Sequence, residues 1–284
     1  MTPDKRPVRI VALDLDGTLL NSAGGISPHD IAALQALHQR GVHVCLASGR
    51  MTAAIRPTFD VLGLDGPVIA YNGAMVRDSV ANAEALVLEV PLPARYGDYL
   101  IDYAEREHHH LNYYHEDLLY ARDDPALRRF ADIYANQTGS VFHFVPSLRQ
   151  FEGREPTKII LITDPSTPGS PDPRRRDELY DVFQARWGGE VSLFKTNPEY
   201  LEFLNRDVDK GVGIEALARY CNVPRGQVMA FGDGENDAPM LAWAGVGVAV
   251  ANAKPSVKSV ADVVLPYSND ESPIARAVEE LVAL

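Results

Sequence analysis

Short apolar runs alternate with amphipathic segments along most of this chain. Val8–Leu13 is β-branched and apolar, with the length of a buried strand. A polar loop, Asn21–Gly25, follows. Ser27-Pro28 then has the residues of a helix start, N-cap and first helical position. Ile31, Leu34 and Leu37 repeat at helical spacing, and Gly41 marks the stop. Val42–Ala47 reads as a second strand, with a helix expected after Arg50, and Pro67–Tyr71 as a third. Near the other end, Tyr200–Leu204 reads as a strand and Lys210–Tyr220 as a helix. Val228–Phe231 and Ala244–Val250 are further strands, and Ile274–Leu284 a closing helix. Strand and helix in alternation predict an α/β fold built on a doubly wound parallel sheet.

Between residues 84 and 195 the pattern changes. Val87–Val90 reads as a strand, Tyr96–Glu107 as an amphipathic helix, and Leu111–Ala121 as a strand pair. Lys158–Thr163, a helix over Arg174–Trp187 and a strand at Val191–Lys195 complete the section. The Pro- and Gly-rich stretch Pro165–Pro173 is expected to be a surface loop. The expectation is a small α+β domain, residues 84–195, inserted into a main domain of residues 1–83 and 196–284. Within it, His108-His109-His110 with His115 resembles a metal cluster only in composition. Neighbouring strand residues face opposite ways and no Cys joins them, so a cap-sheet role is preferred to zinc. His110, Asn112 and Tyr114 fall on one face of a strand.

Composition narrows the function classes. The chain has 284 residues and a formal net charge of -12, with no Lys/Arg block, which disfavours a nucleic-acid-binding role. Two distant cysteines, Cys45 and Cys221, suggest neither a disulfide framework nor a metal site. No apolar stretch reaches the roughly 20 residues of a membrane span. The amino-terminal region lacks the apolar core of a signal peptide, because Asp14 and Asp16 interrupt it. A cytoplasmic protein without an obligate protein partner is expected.

The candidate chemistry lies where strands end. Asp14 and Asp16 follow the first strand at a spacing that puts both on one side of an extended segment, and Gly17 permits a sharp exit. Taken alone, Asp-x-Asp-Gly is an ordinary turn. Ser48-Gly49-Arg50 stands where the second strand gives way to a helix, a favourable place for an anion. Asn72-Gly73 follows the third strand, Lys210 opens a helix, and Gly232-Asp233-Gly234-Glu235-Asn236-Asp237 follows another strand. Each of these has a bland reading as cap, turn or solvated charge, and the acidic loop lacks the spacing of an EF-hand.

Together, Asp-Leu-Asp-Gly-Thr-Leu-Leu, Leu-Ala-Ser-Gly-Arg, Asp-Lys-Gly and Gly-Asp-Gly-Glu-Asn-Asp resemble the four ordered signatures of the haloacid dehalogenase superfamily. Asn72-Gly73-Ala74 and the inserted section resemble its Cof-like phosphatase branch. The one departure is Asp209, where that branch commonly has Ser. The resemblance implies a Rossmann-like core carrying an inserted cap, and a phosphatase using an aspartyl-phosphate. Asp14 would be the nucleophile and Asp16 the acid and base. Mg²⁺ would be held by the Asp14 side chain, the Asp16 carbonyl and the Asp233 side chain, with Asp237 outside them steering Lys210. Ser48, Gly49, Lys210, Asn236 and the Leu15 N–H would hold phosphate oxygens, and Arg50 and Asn72 are candidate substrate contacts. The substrate would be a small phosphorylated metabolite, of the sugar phosphate, pyridoxal phosphate or flavin mononucleotide kind. A phosphomutase using the same intermediate, and a catalytically silent binding protein on this fold, are the alternatives.

Overall fold

The computed structural model describes residues 7–82, 85–163 and 174–282. The chain divides into two compact units, one up to Glu89 and from Val208 onward, the other Val90–Asp207. The first unit opens with β1 (Ile10–Asp14), α1 (Pro28–Gln39), β2 (His43–Ala47), α2 (Thr52–Leu62), β3 (Val68–Ala70), β4 (Met75–Arg77) and β5 (Leu86–Glu89). Ser27 caps α1 as its sequence predicts, its side chain accepting from His29 and Asp30 N–H. Ile31 is only partly buried, whereas Asp30 lies 1% exposed on the packed face. Its carboxylate accepts the Ala275 N–H at 2.8 Å.

The second unit contains α3 (Ala94–Arg106), β6 (His110–His115), β7 (Leu118–Arg122), α4 (Arg128–Thr138), β8 (Phe142–Val145), β9 (Lys158–Ile162), α5 (Arg174–Trp187), β10 (Val191–Lys195) and β11 (Tyr200–Asn205). Its six-stranded sheet runs in the order β10-β11-β9-β6-β7-β8. All neighbours are antiparallel except β7 and β8. Tyr96 and Leu100 of α3 and Phe183 and Trp187 of α5 pack with Tyr113, Leu161 and Phe203 of the sheet in one core. Strand alternation puts His110, Asn112 and Tyr114 on the opposite face, against Ile162, Ile160 and Lys158.

Burial pushes the His110 imidazole down to about 4, with the Asn112 hydrogen bond and Asp124 opposing and Arg122 assisting. The unfolded chain therefore binds a proton that the folded unit refuses, at any pH between about 6.5 and 4. The stability linked to His110 is complete above about 6.5 and is lost as pH falls towards 4. Urea unfolding at pH 7 and 4.5 is expected to show about 2 kcal/mol more loss for wild type than for His110→Gln. An equal loss in both proteins would remove His110 as the cause.

The chain returns to the first unit with α6 (Lys210–Tyr220), β12 (Val228–Gly232), α7 (Ala238–Trp243), β13 (Val246–Ala249), α8 (Pro255–Lys258), β14 (Val263–Val264) and α9 (Pro273–Leu281). Among the described residues its sheet has the order β14-β13-β12-β1-β2-β3-β4-β5. The strands from β14 to β3 pair in parallel, and the pairings of β3 with β4 and of β4 with β5 are antiparallel. This is the doubly wound α/β arrangement, with β1 among the central strands, buried throughout.

Two boundaries differ from the sequence reading. Strand 86–89 pairs with β4 in the first sheet, and strand 200–205 pairs with β9 and β10 in the second. The insertion therefore runs from Val90 to Asp207, rather than 84 to 195. Hydrophobic pattern marks a strand but not its partner, so pattern alone assigns both segments to the wrong side. The expected break at 83/84, the loop at Pro165–Pro173 and the last two residues of the closing helix lie outside the described residues. No helix among the described residues is long and apolar enough to cross a membrane.

Candidate active site

Five polar stretches meet at the carboxyl ends of β1, β2, β3 and β12 and at the start of α6. Parallel alignment brings these ends together, since residues far apart in the chain leave neighbouring strands on the same edge. Asp14 ends β1 and is 7% exposed. The chain then turns tightly, with Leu19 N–H bonded to the Asp14 carbonyl and Leu20 N–H to that of Leu15. Gly17 has φ +87, and a Cβ there would lie 2.6 Å from the Asp233 carboxylate. Glycine is favoured at that position on both counts.

Lys210 is the first residue of α6 and is fully buried. Its Nζ lies 2.5 Å from Asp14 Oδ1 and 2.5 Å from Asp237 Oδ1. Asp237 Oδ2 accepts the N–H groups of Asp233 and Gly234 at 3.0 and 2.8 Å. Both oxygens of Asp237 are thus engaged, in shaping the acidic loop and in holding the lysine. Asp209, the departure from the family pattern, caps α6 by accepting the Val212 N–H at 2.9 Å. Aspartate does there what serine would do.

Asp233 Oδ1 accepts from Thr18 Oγ1 at 2.8 Å. Carboxylate oxygens of Asp14, Asp233 and Asp237 lie within 4.8 Å of one another. Burial holds the Asp14 carboxyl above its ordinary value, with Lys210 opposing and Asp237 and Asp233 adding to the rise. Burial raises Asp233 as well, against the Thr18 hydrogen bond. Burial works against the Lys210 ammonium, but Asp14 and Asp237 reverse this and hold it above its ordinary value. Three carboxylates around one ammonium leave excess negative charge, and hard oxygen donors suit a hard divalent cation. Asp14 and Asp233 fit such an ion better than Asp237, whose oxygens are already taken.

Asp16 stands apart from this cluster. Its side chain is 62% exposed and forms a two-pronged pair with Arg50, at 3.1 Å from Nε and 2.5 Å from Nη2. Ser48 follows β2 directly and is buried, its Oγ accepting the Arg50 N–H at 3.2 Å. The helix begins only at Thr52, so Ser48 is not its cap. Asn236 is exposed and donates from Nδ2 to Asn72 Oδ1 at 3.0 Å. Leu15 is fully buried and follows Asp14, while Gly49 lies against the Asn72 amide. The sequence reading missed Thr18 as a partner of Asp233, although the hydroxyl two residues past Asp16 was in view. It also missed Asn252, whose Nδ2 donates to the Gly17 carbonyl at 2.7 Å. Nothing in the loop sequence distinguishes that residue.

A family model described as haloacid dehalogenase-like hydrolase matches residues 11–278. A 5-amino-6-(5-phospho-D-ribitylamino)uracil phosphatase of Bacillus subtilis is 28% identical over 282 residues, 97% of this chain and 98% of its own. A phosphoglycolate phosphatase of Methanopyrus kandleri is 30% identical, with 92% of each chain covered. Among solved structures, a Thermotoga maritima protein superposes with a TM-score of 0.84 at 31% identity, covering 98% of both chains. Fold, ordered motifs and these matches agree, and the chain belongs to the haloacid dehalogenase-like hydrolases.

Proposed function

We propose that this protein is a Mg²⁺-dependent phosphatase of small phosphorylated metabolites, working through an aspartyl-phosphate on Asp14. The observation that carries the reading is the buried Lys210 ammonium shared by Asp14 and Asp237 at a strand-end site beside Asp233. A carboxylate held this way has one oxygen fixed by the lysine and the other available to attack. The similar proteins named as phosphatases of phosphorylated metabolites support the same reading.

Asp14 Oδ2 would attack phosphorus in line, forming the O–P bond as the ester P–O bond breaks. Asp16 would give its proton to the departing alcohol oxygen, then take one from the water that cleaves the aspartyl-phosphate. Orthophosphate and the free alcohol leave, and Asp14 is regenerated. Because Asp16 is paired with Arg50, that pair has to open before Asp16 carries a proton, which gives Arg50 a place in substrate entry. Ser48, Lys210, Asn236 and the backbone N–H groups of Leu15 and Gly49 would hold the phosphate oxygens. Asp14, Asp233 and the Asp16 carbonyl would hold Mg²⁺, which supplies charge neutralisation for the phosphate. The unit Val90–Asp207 would serve as the cap that reads the leaving group. Free Cys45 and Cys221 accord with a reducing, cytoplasmic location.

The test is phosphate release from a panel of phosphomonoesters with Mg²⁺ or with EDTA. Release that needs the metal is expected, and the rank order of esters would define the leaving group. Release unaffected by EDTA would exclude the metal, and no release from any ester would overturn the phosphatase reading.

A further inference from the structure

The turn after β3 holds two consecutive non-glycine residues in the left-handed region, Tyr71 at φ 51 and Asn72 at φ 55. Gly73 follows at φ 104. Side chains with a Cβ disfavour this conformation, so it persists only where surroundings dictate it. Here three segments dictate it. Tyr71 N–H donates to the Arg50 carbonyl and Asn72 N–H to that of Ser48, both at 3.0 Å. A Cβ on Gly73 would lie 2.0 Å from the Asp209 carbonyl oxygen, so the turn is seated directly against the start of α6. Asn72 is 9% exposed, and its Oδ1 accepts from Asn236 Nδ2.

The turn therefore touches the Ser48 loop, the Lys210 loop and the acidic loop at once. A turn needing only left-handed backbone is served better by glycine, which lacks the Cβ penalty. What asparagine adds is the amide on Asn236. An amide nitrogen carries two hydrogens, and the one taken by Asn72 fixes the direction of the other.

We infer that Asn72 is a positioning residue: through Asn236 and the Ser48 loop it aims the donors that receive the substrate phosphate. This rests on the phosphatase reading above. Asn72→Gly separates the two roles, because it keeps or eases the backbone and removes only the amide. With an ester that the wild type hydrolyses, Asn72→Gly is expected to lower kcat/KM on the order of tenfold, with folding unchanged. Inorganic phosphate should also inhibit it less strongly. Asn236→Ala should lose at least as much, and the double variant no more than Asn236→Ala alone.

Wild-type kinetics in Asn72→Gly, or losses that multiply in the double variant, would overturn the inference while leaving the phosphatase reading intact. A variant that fails to fold would assign Asn72 to the scaffold and overturn it too. If Asn72→Gly folds but melts lower, the same comparison is made well below its transition. A wild type inactive on every ester overturns the phosphatase reading and this inference together.

Discussion

Asp14→Asn is expected to lose phosphate release by on the order of 10⁴-fold or more, because it removes the attacking oxygen rather than a binding contact. The loss should fall on kcat, with KM little changed, since the amide keeps the shape of the carboxylate. Folding should survive. The Asp14 carboxylate is desolvated, and that burial already disfavours its charge. Lys210 keeps its second partner, Asp237, so the substitution leaves no buried ion alone. Thermal melting with and without Mg²⁺ gives a readout independent of turnover. The shift produced by the metal should be smaller in Asp14→Asn, which has one fewer anionic ligand. Activity within tenfold of wild type would remove Asp14 as nucleophile.

Lys210→Met should damage activity and stability together. The ammonium is fully buried, and methionine fills similar volume without charge. Asp14 and Asp237 would then face each other with no cation between them, a situation that costs about 3–5 kcal/mol when one partner of a buried pair is removed. Phosphate release should fall by on the order of 10³-fold, the scale of losing a strong donor to the reacting group. The two variants are a matched pair. Urea unfolding should separate them, with Asp14→Asn near wild type and Lys210→Met well below it. If Lys210→Met is as stable as wild type, the ammonium is not what balances these carboxylates.

Much of this site is legible in the sequence. Asp14, Asp16, Ser48 and Asp233 each sit where an apolar run stops, and a parallel sheet gathers such stops on one edge, while Lys210 opens a helix. The alternation of strands and helices was equally plain, because burial on both faces of a parallel strand leaves an apolar run. Other features were not legible. Asp30 is a polar residue beside the apolar face of its helix in sequence, yet it is buried and accepts the Ala275 N–H at the start of α9. Helix 128–138 has too many charged and polar residues for its apolar face to stand out. Strand 200–205 reads the same whichever sheet receives it.

The sequence by itself determined most of the elements and the identity of the candidate chemical groups, since these depend on local spacing and side-chain type. Only the tertiary structure decided how those groups are paired. It put Lys210 between Asp14 and Asp237, turned Asp16 towards Arg50, and set Thr18 on Asp233. It also seated the turn at Asn72 against a loop 164 positions away in the chain. The physical reason is one of range. Hydrophobic periodicity is written within a turn or a strand, whereas ion pairs and left-handed turns are set by partners that only folding brings near.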